Sequence, residues 1–276
     1  MLPYIHLGGH LVLPLFGKLF VLLPNDIPTF GLMLWCATVC GAVVMHFSFR
    51  RAHIEADALG IVAMTVVAGI VGAKLWHVID SPAEFQMDGW SVLWSTGGFA
   101  WFGGLVAGII ALLVQGRGAG LGGLRTLDLA APAAAVGYAI GRIGCLTSGD
   151  GDYGIPSNLP WAMGFPNGID PTPPGVRVHP TPIYECIAGL AIGWWLWWRA
   201  GKRHGIGAIV GEYLFLTGIA RFLVEFIRRN PHVLFGLSNA QLASLGSVIA
   251  GAILMWWAAK RVTPIPEEPA RIAKAA

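Results

Sequence analysis

The sequence predicts an all-α polytopic membrane protein: seven transmembrane helices, an N-terminal interfacial segment and an arm on the outer face. Three observations carry that expectation. Hydrophobic residues make up 55% of the chain and charged ones only 12%, about half the charged share of an ordinary soluble domain. Mean hydropathy is +0.64. The 12 Trp and 13 Phe suit a chain with two membrane interfaces, where aromatic side chains collect. The net charge of +3 is small and spread between segments, so nucleic acid is not an expected partner.

Met1–Gly9 carries no Lys or Arg, and no small-residue cleavage site follows the apolar run Leu11–Leu23. A cleavable signal is therefore not expected. Pro14 and Lys18 interrupt that run, and it is shorter than the ~20 residues a crossing helix needs. The stretch 1–25 reads as a segment lying in the interface. Seven longer apolar runs follow, at about 28–49, 58–79, 97–115, 127–144, 180–199, 206–227 and 238–260. Runs of this length must satisfy their own backbone polar groups in lipid, which makes each a helix. Small residues are dense within them, as in "GGFAWFGGLVAG" and "AGIVGAK", and small residues let helix backbones approach closely. Together 1–262 forms one integral membrane domain. The Pro-rich polar stretch 263–276 reads as a disordered cytoplasmic tail.

Orientation follows from where Lys and Arg fall in the short loops. Arg50 and Arg51 follow the first run, Arg117 and Arg125 the third, Arg199, Lys202 and Arg203 the fifth, and Lys260, Arg261, Arg271 and Lys274 the seventh. These alternate loops hold 11 of the 18 basic residues, so that side is cytoplasmic and the N-terminus is outside. The loop after the second run has Asp80, Glu84 and Asp88 without a cation. The longest connection, 145–178, then lies outside. It mixes Trp161, Met163 and Phe165 with many prolines and glycines, which favours a folded arm on the membrane surface. Cys36, Cys40, Cys145 and Cys186 are scattered without CxxC or CxxH spacing, so neither a metal nor a cofactor is expected.

A charge inside a bilayer costs ~2.5–3.5 kcal/mol on insertion scales, so the charges within these runs need a reason. Arg142, Glu185, Arg221 and Glu225 sit toward the outer ends of three of them; Lys74 and Asp128 are further cases. Arg221 and Glu225, four residues apart, can pair on one helix face. Two guanidiniums in one region match the oxygens of a phosphate. The glycines of "GRIGCLTSGDGDYG" would let backbone N–H groups approach the same anion. Plainer readings stand beside this one. Arg142 suits a snorkelling helix-end residue, Arg221–Glu225 suits helix-to-helix glue, and His179 before Pro180 suits a cap. Arg228, Arg229 and His232 read as a solvated rim.

The segments "GYAIGRIGCLTSGD", "HPTPIYE", "GGFAWFGGLVAG" and "ARFLVEFIRRNPH…GLSNAQLASL" resemble, in order over about residues 25–260, those of the bacterial prolipoprotein diacylglyceryl transferases. The resemblance implies a seven-helix enzyme of the inner membrane with two substrates, phosphatidylglycerol and a prolipoprotein signal peptide bearing a lipobox cysteine. The diacylglyceryl group passes to the cysteine thiol and glycerol phosphate leaves. It further implies that Arg142 and Arg221 hold the lipid phosphate and that Glu225 holds Arg221. Phe30, Phe102, Gly103, Gly104, Gly144, Cys145, Asp150, Gly154, His179, Tyr184 and Glu185 would line the substrate site.

Three positions depart from the family's usual pattern. Phe102 stands where a histidine is common, Phe30 where a tyrosine is, and Cys145 where an asparagine is; each loses a hydrogen-bonding group. The acidic residue after the glycine-rich stretch is matched by either Asp150 or Asp152. His77 or an aspartate is then a candidate to help activate the thiol. A diverged lipid-binding or lipid-transport protein on the same scaffold is the alternative.

Overall fold

The computed structural model describes residues 3–6, 11–15, 18–23, 26–95, 97–202 and 204–261. The expected tail, 263–276, lies outside the described residues. The chain begins with two antiparallel strand pairs. β1 (Tyr4–His6) pairs with β4 (Asp26–Pro28), and between them β2 (Leu11–Leu15) pairs with β3 (Lys18–Leu23). Seven long helices follow: α1 (Thr29–Arg51), α2 (Ala58–Asp80), α4 (Trp101–Gly118), α5 (Gly123–Ser148), α6 (Thr181–Ala200), α7 (Ala208–Glu225) and α8 (Asn239–Ala259). The short helix α3 (Pro82–Asp88) and a 3₁₀ turn at Gly89–Trp94 join α2 to α4, and a hairpin of β5 (His232–Leu234) and β6 (Leu237–Ser238) joins α7 to α8.

Each long helix coincides with one of the seven apolar runs. Five of them, α1, α2, α4, α5 and α8, are long and apolar enough to cross a membrane. The protein is thus a polytopic, mostly helical membrane protein. The other two are the most polar or aromatic: α7 carries Glu212, Arg221 and Glu225, and α6 carries four Trp with Glu185. Lipid-facing surface is plentiful, as expected without water to hide from. Trp35, Leu59, Met64, Ile79, Ile187 and Trp256 are all exposed.

Small residues set the packing. A Cβ on Gly103 would collide with Gly72 O and Trp76 Cβ, and one on Gly104 would come to 3.2 Å from Gly69 O, so α2 and α4 touch backbone to backbone. Gly211 and Gly251 do the same for α7 and α8, and Gly189 seats α6 against Ala139 of α5. Such close approach replaces the hydrophobic driving force that lipid does not supply.

α5 runs to Ser148, beyond the boundary expected near 144, and stops at Gly149 in the left-handed conformation (φ 61, ψ 49), a helix end that glycine adopts without a Cβ clash. The segment from there to α6 has no helix, yet it is folded. Tyr153, Phe165 and Val178 form a buried cluster of their own, with Leu146, Met163 and Val176 packed on it. The Tyr153 and Phe165 rings stack with centroids 5.0 Å apart.

Candidate active site

Three helix ends meet at one end of the bundle: the C-terminal turns of α5 and α7 and the N-terminal turn of α6. They carry Arg142, Arg221 and Glu225, and Glu185. Glu185 is the hub. Its Oε1 accepts from Arg221 Nη1 at 3.2 Å and from the Tyr138 hydroxyl at 2.6 Å; its Oε2 lies 3.2 Å from Arg228 Nη1 and 3.5 Å from Arg142 Nη1. One buried carboxylate therefore draws three guanidiniums together.

Two more carboxylates complete the array. Asp152 accepts from Arg142 through Oδ2 and from Arg228 through Oδ1. Glu225 Oε2 sits 2.9 Å from Arg221 Nη2 and 3.8 Å from Arg228 Nε. No donor is aligned on Glu225 Oε2, so those contacts are ionic rather than directed hydrogen bonds. Glu225 Oε1 instead accepts from Asn230 Nδ2 at 2.6 Å and Ser238 Oγ at 2.7 Å. Ser238 is also the N-cap of α8, with Gln241 completing a capping box, so the site is tied to the start of the last helix.

Exposure sorts these side chains. Glu185, Glu225 and Arg228 are 4%, 1% and 8% exposed, whereas Arg142 and Arg221 keep 22% and 28%. Glu185, Glu225 and Arg228 form the buried frame, and Arg142, Arg221 and Asp152, itself 30% exposed, are the charges that reach its surface. A guanidinium has five N–H donors. The ion pairs and hydrogen bonds of Arg142 to described residues run through Nη1 alone, leaving Nε and Nη2 for an outside acceptor. Fixed guanidiniums with spare donors are suited to hold a phosphate or to meet negative charge as it develops.

The backbone that brings Asp152 in is held by Gly154. Gly154 N donates to His179 O at 2.8 Å and Ile155 N to Ile227 O at 2.8 Å. A Cβ on Gly154 would run into Ile227 O, His179 Cβ and Thr181 Cγ2. Three chain segments cross there, and only a glycine lets them. The Thr181 hydroxyl adds a bond to Asp152 O.

Asp150 and Asp152 differ in state. Burial alone would raise the Asp152 carboxyl, but the Arg228 and Arg142 charges outweigh it and hold the group below its ordinary value. Asp150 is raised by burial and by the Asp152 charge, against a hydrogen bond with Cys145 and weaker help from Arg142. The Cys145 thiol and the two carboxylates lie within 4.8 Å of one another, a spacing that resembles a metal site. Both oxygens of Asp152 already face guanidiniums, so a cation there would have to displace them.

A family model for prolipoprotein diacylglyceryl transferase matches residues 18–257. The chain belongs to the prolipoprotein diacylglyceryl transferase family. It is 34% identical, over 83% of its length and 90% of the relative's, to a phosphatidylglycerol–prolipoprotein diacylglyceryl transferase of Finegoldia magna. It is 33% identical to one of Methylibium petroleiphilum over 84% and 89%, and 32% identical to one of Bordetella bronchiseptica over 74% and 79%.

Not every expected site residue joins the cluster. Phe30 packs beside it: a Cβ on Gly144 would sit 3.2 Å from Phe30 Cδ2 and 3.1 Å from Met33 Cβ. Tyr184 faces the arm, where its hydroxyl accepts from Trp161 Nε1 at 2.7 Å and lies 3.3 Å from His179 Nδ1. Gly103 and Gly104 are occupied in the α2–α4 contact. Phe102, more than half exposed, meets Trp101 edge to face and has no tie to the arginines among the described residues. His77 bonds Glu84 at 2.9 Å, also without a link to the cluster among the described residues.

Arg228 corrects the expectation of a solvated rim. It is buried and contacts all three carboxylates, because the chain turns back after α7 and brings it under Glu185. Its spacing, three residues after Glu225 and seven after Arg221, was the available signal. Of the other two rim residues, Arg229 is half-exposed and pairs with Asp170 at 3.1 Å, and His232 is exposed. Tyr138 was also missed as a site residue, and of the two aspartates the sequence left open, it is Asp152 that meets the arginines.

Proposed function

We propose that the protein transfers the diacylglyceryl group of phosphatidylglycerol to the lipobox cysteine thiol of a prolipoprotein, in the bacterial inner membrane, releasing glycerol phosphate. All seven long helices cross the bilayer, with the N-terminus outside, the tail cytoplasmic and the 149–180 arm on the outer surface. The cation-rich loops at alternate helix connections support this orientation.

The observation that carries the reading is the convergence of Arg142 and Arg221 on Glu185 with each side chain still partly exposed. The two arginines hold the lipid phosphate. Glu225 and Glu185 fix their direction, and Arg228 and Asp152 brace the frame from below. The thiol sulfur attacks the glyceryl carbon as the carbon–oxygen bond to phosphate breaks. The bonding pair leaves on the phosphate oxygen, and the proton lost by the thiol balances the new charge. Negative charge grows on the departing phosphate, where guanidiniums already in place stabilise it most. A thiol with an ordinary value near ~8.5 attacks as thiolate, and the same cations favour that form beside them. The nucleophile belongs to the substrate, so Cys145, buried against Asp150, is a lining residue.

The test is reconstitution of the purified chain with phosphatidylglycerol and a lipobox peptide. Glycerol phosphate release together with a peptide heavier by one diacylglyceryl group is expected. Lipid binding without release, across the pH range, would assign the scaffold to lipid binding instead.

A further inference from the structure

The opposite end of the bundle holds a cavity of about 360 Å³. It opens where α1 and α6 end and where α5 and α7 begin. Asp128, beside it, is 14 residues before Arg142 on α5, about 21 Å along the helix axis. This cavity is therefore separate from the arginine cluster.

Its polar side carries two guanidiniums, those of Arg51 and Arg125, with the His204 ring beside them. Arg51 Cζ lies over the Trp197 ring, 3.9 Å from the centroid, and the guanidinium gives one N–H to Trp197 O at 2.6 Å. That fixes the guanidinium while leaving its other edge unused by the described residues. Arg125 is exposed and has no ion pair among the described residues. His204 donates Nδ1–H to Lys202 O at 2.6 Å, which leaves Nε2 for another partner. The carboxylate in the lining, Asp128, is already spent: Oδ2 accepts from Gly207 N at 2.6 Å and Oδ1 from Val210 N at 2.8 Å. Its charge serves the first turn of α7, which it caps from another helix.

The remaining wall is apolar. Leu129, Pro132, Trp197, Ile206 and Ile209 contribute to it. A free anion would use only the cationic side. A phospholipid uses both, with phosphate against the guanidiniums and glyceryl and acyl groups along the apolar wall. Basic pockets between transmembrane helices are suited to acidic lipid headgroups, and a guanidinium stacked on tryptophan is an interfacial arrangement.

We propose that this cavity binds the phosphate headgroup of an anionic phospholipid from the leaflet opposite the arginine cluster, held by Arg51, Arg125 and His204. It is a lipid site that takes no part in transfer.

The experiment uses the full chain in phosphatidylcholine nanodiscs doped with a photoactivatable phosphatidic acid. Label is expected on peptides from the end of α1, the start of α5 and the α6–α7 connection. Arg125→Gln touches no contact of the fold and should lower that label by roughly tenfold, the factor one hydrogen bond to a charged group supplies. Arg51→Gln should act in the same direction, with thermal melting as the control for folding. Label near Arg142 should persist in both variants. Equal labelling of the same peptides by photoactivatable phosphatidylcholine, or label unaffected by Arg125→Gln, would overturn the proposal. Inorganic phosphate displacing the label would do the same, assigning the cavity to a soluble anion.

Discussion

The two ends of the bundle handle charge in opposite ways. Where α5 and α7 finish, three guanidiniums and three carboxylates interlock across three chain segments. No pair there is isolated: Glu185 alone meets three arginines. Where α5 and α7 begin, Asp128 has both oxygens on backbone N–H groups, and nearby Arg125 pairs with no carboxylate among the described residues. The first arrangement uses buried charge to direct cations that stay partly exposed. The second spends it on ending a helix. Buried ion pairs are poor stabilisers, because desolvation offsets most of their attraction. The interlocked end is thus better explained by positioning than by stability, and the Asp128 cap by stability.

The strongest test of that contrast is Arg142→Ala or Arg221→Ala. Each should lower kcat by roughly 10²–10³-fold, or about 3 kcal/mol, as removal of one preorganised donor does elsewhere. The protein should still insert and melt as a folded species. Arg→Lys at either position keeps the charge and loses the planar fork, and should recover only a minor part of the rate. Steady-state release of glycerol phosphate beside a melting curve reads both quantities. Undiminished turnover in Arg142→Ala would remove that residue from the site.

At the other end, Asp128→Ala should act on stability. It leaves Gly207 N and Val210 N unpaired at the buried start of α7. A lost cap with buried donors costs about 2 kcal/mol, seen as a lower melting temperature in detergent. A fall in turnover with unchanged melting would erase the distinction between the two ends.

Charge inside an apolar run is what made much of the cluster visible in the sequence. Arg142, Glu185, Arg221 and Glu225 stand out because lipid makes each of them costly. Arg228 and Asp152 lie in connections, where a charge costs nothing by default, so composition could not separate a buried brace from a solvated residue. Only the return of the chain after α7, and the crossing at Gly154, brings them beneath Glu185. The helix positions were legible for the same reason as the charges: long apolar runs have one solution in a bilayer. The strand pairs before α1 were not, since a short apolar run interrupted by proline fits an interfacial segment equally well. Around Phe102 the sequence did not reveal the packing: in the fold Gly103 and Gly104 make the close contact between α2 and α4.

The finest test lies within the cluster, between neighbours only two residues apart. Asp152 has a folded-state pKa below its unfolded one, so its ionised form favours the fold. That contribution is complete above the unfolded value, about 4, and is lost as pH falls through the lower folded value. Asp150 has the reverse sign. Its folded value is raised, so ionising it works against the fold; the penalty sets in as pH rises past the unfolded value and is complete above the folded one. Asp152→Asn should therefore lower the melting temperature at neutral pH and flatten its fall on acidification. Asp150→Asn should leave it unchanged or raise it. Asp152 is partly exposed, so the changes are of the order of 1 kcal/mol or less. If both variants shift melting in the same direction at neutral pH, the division of labour between the aspartate that braces the arginines and the one that faces Cys145 does not hold.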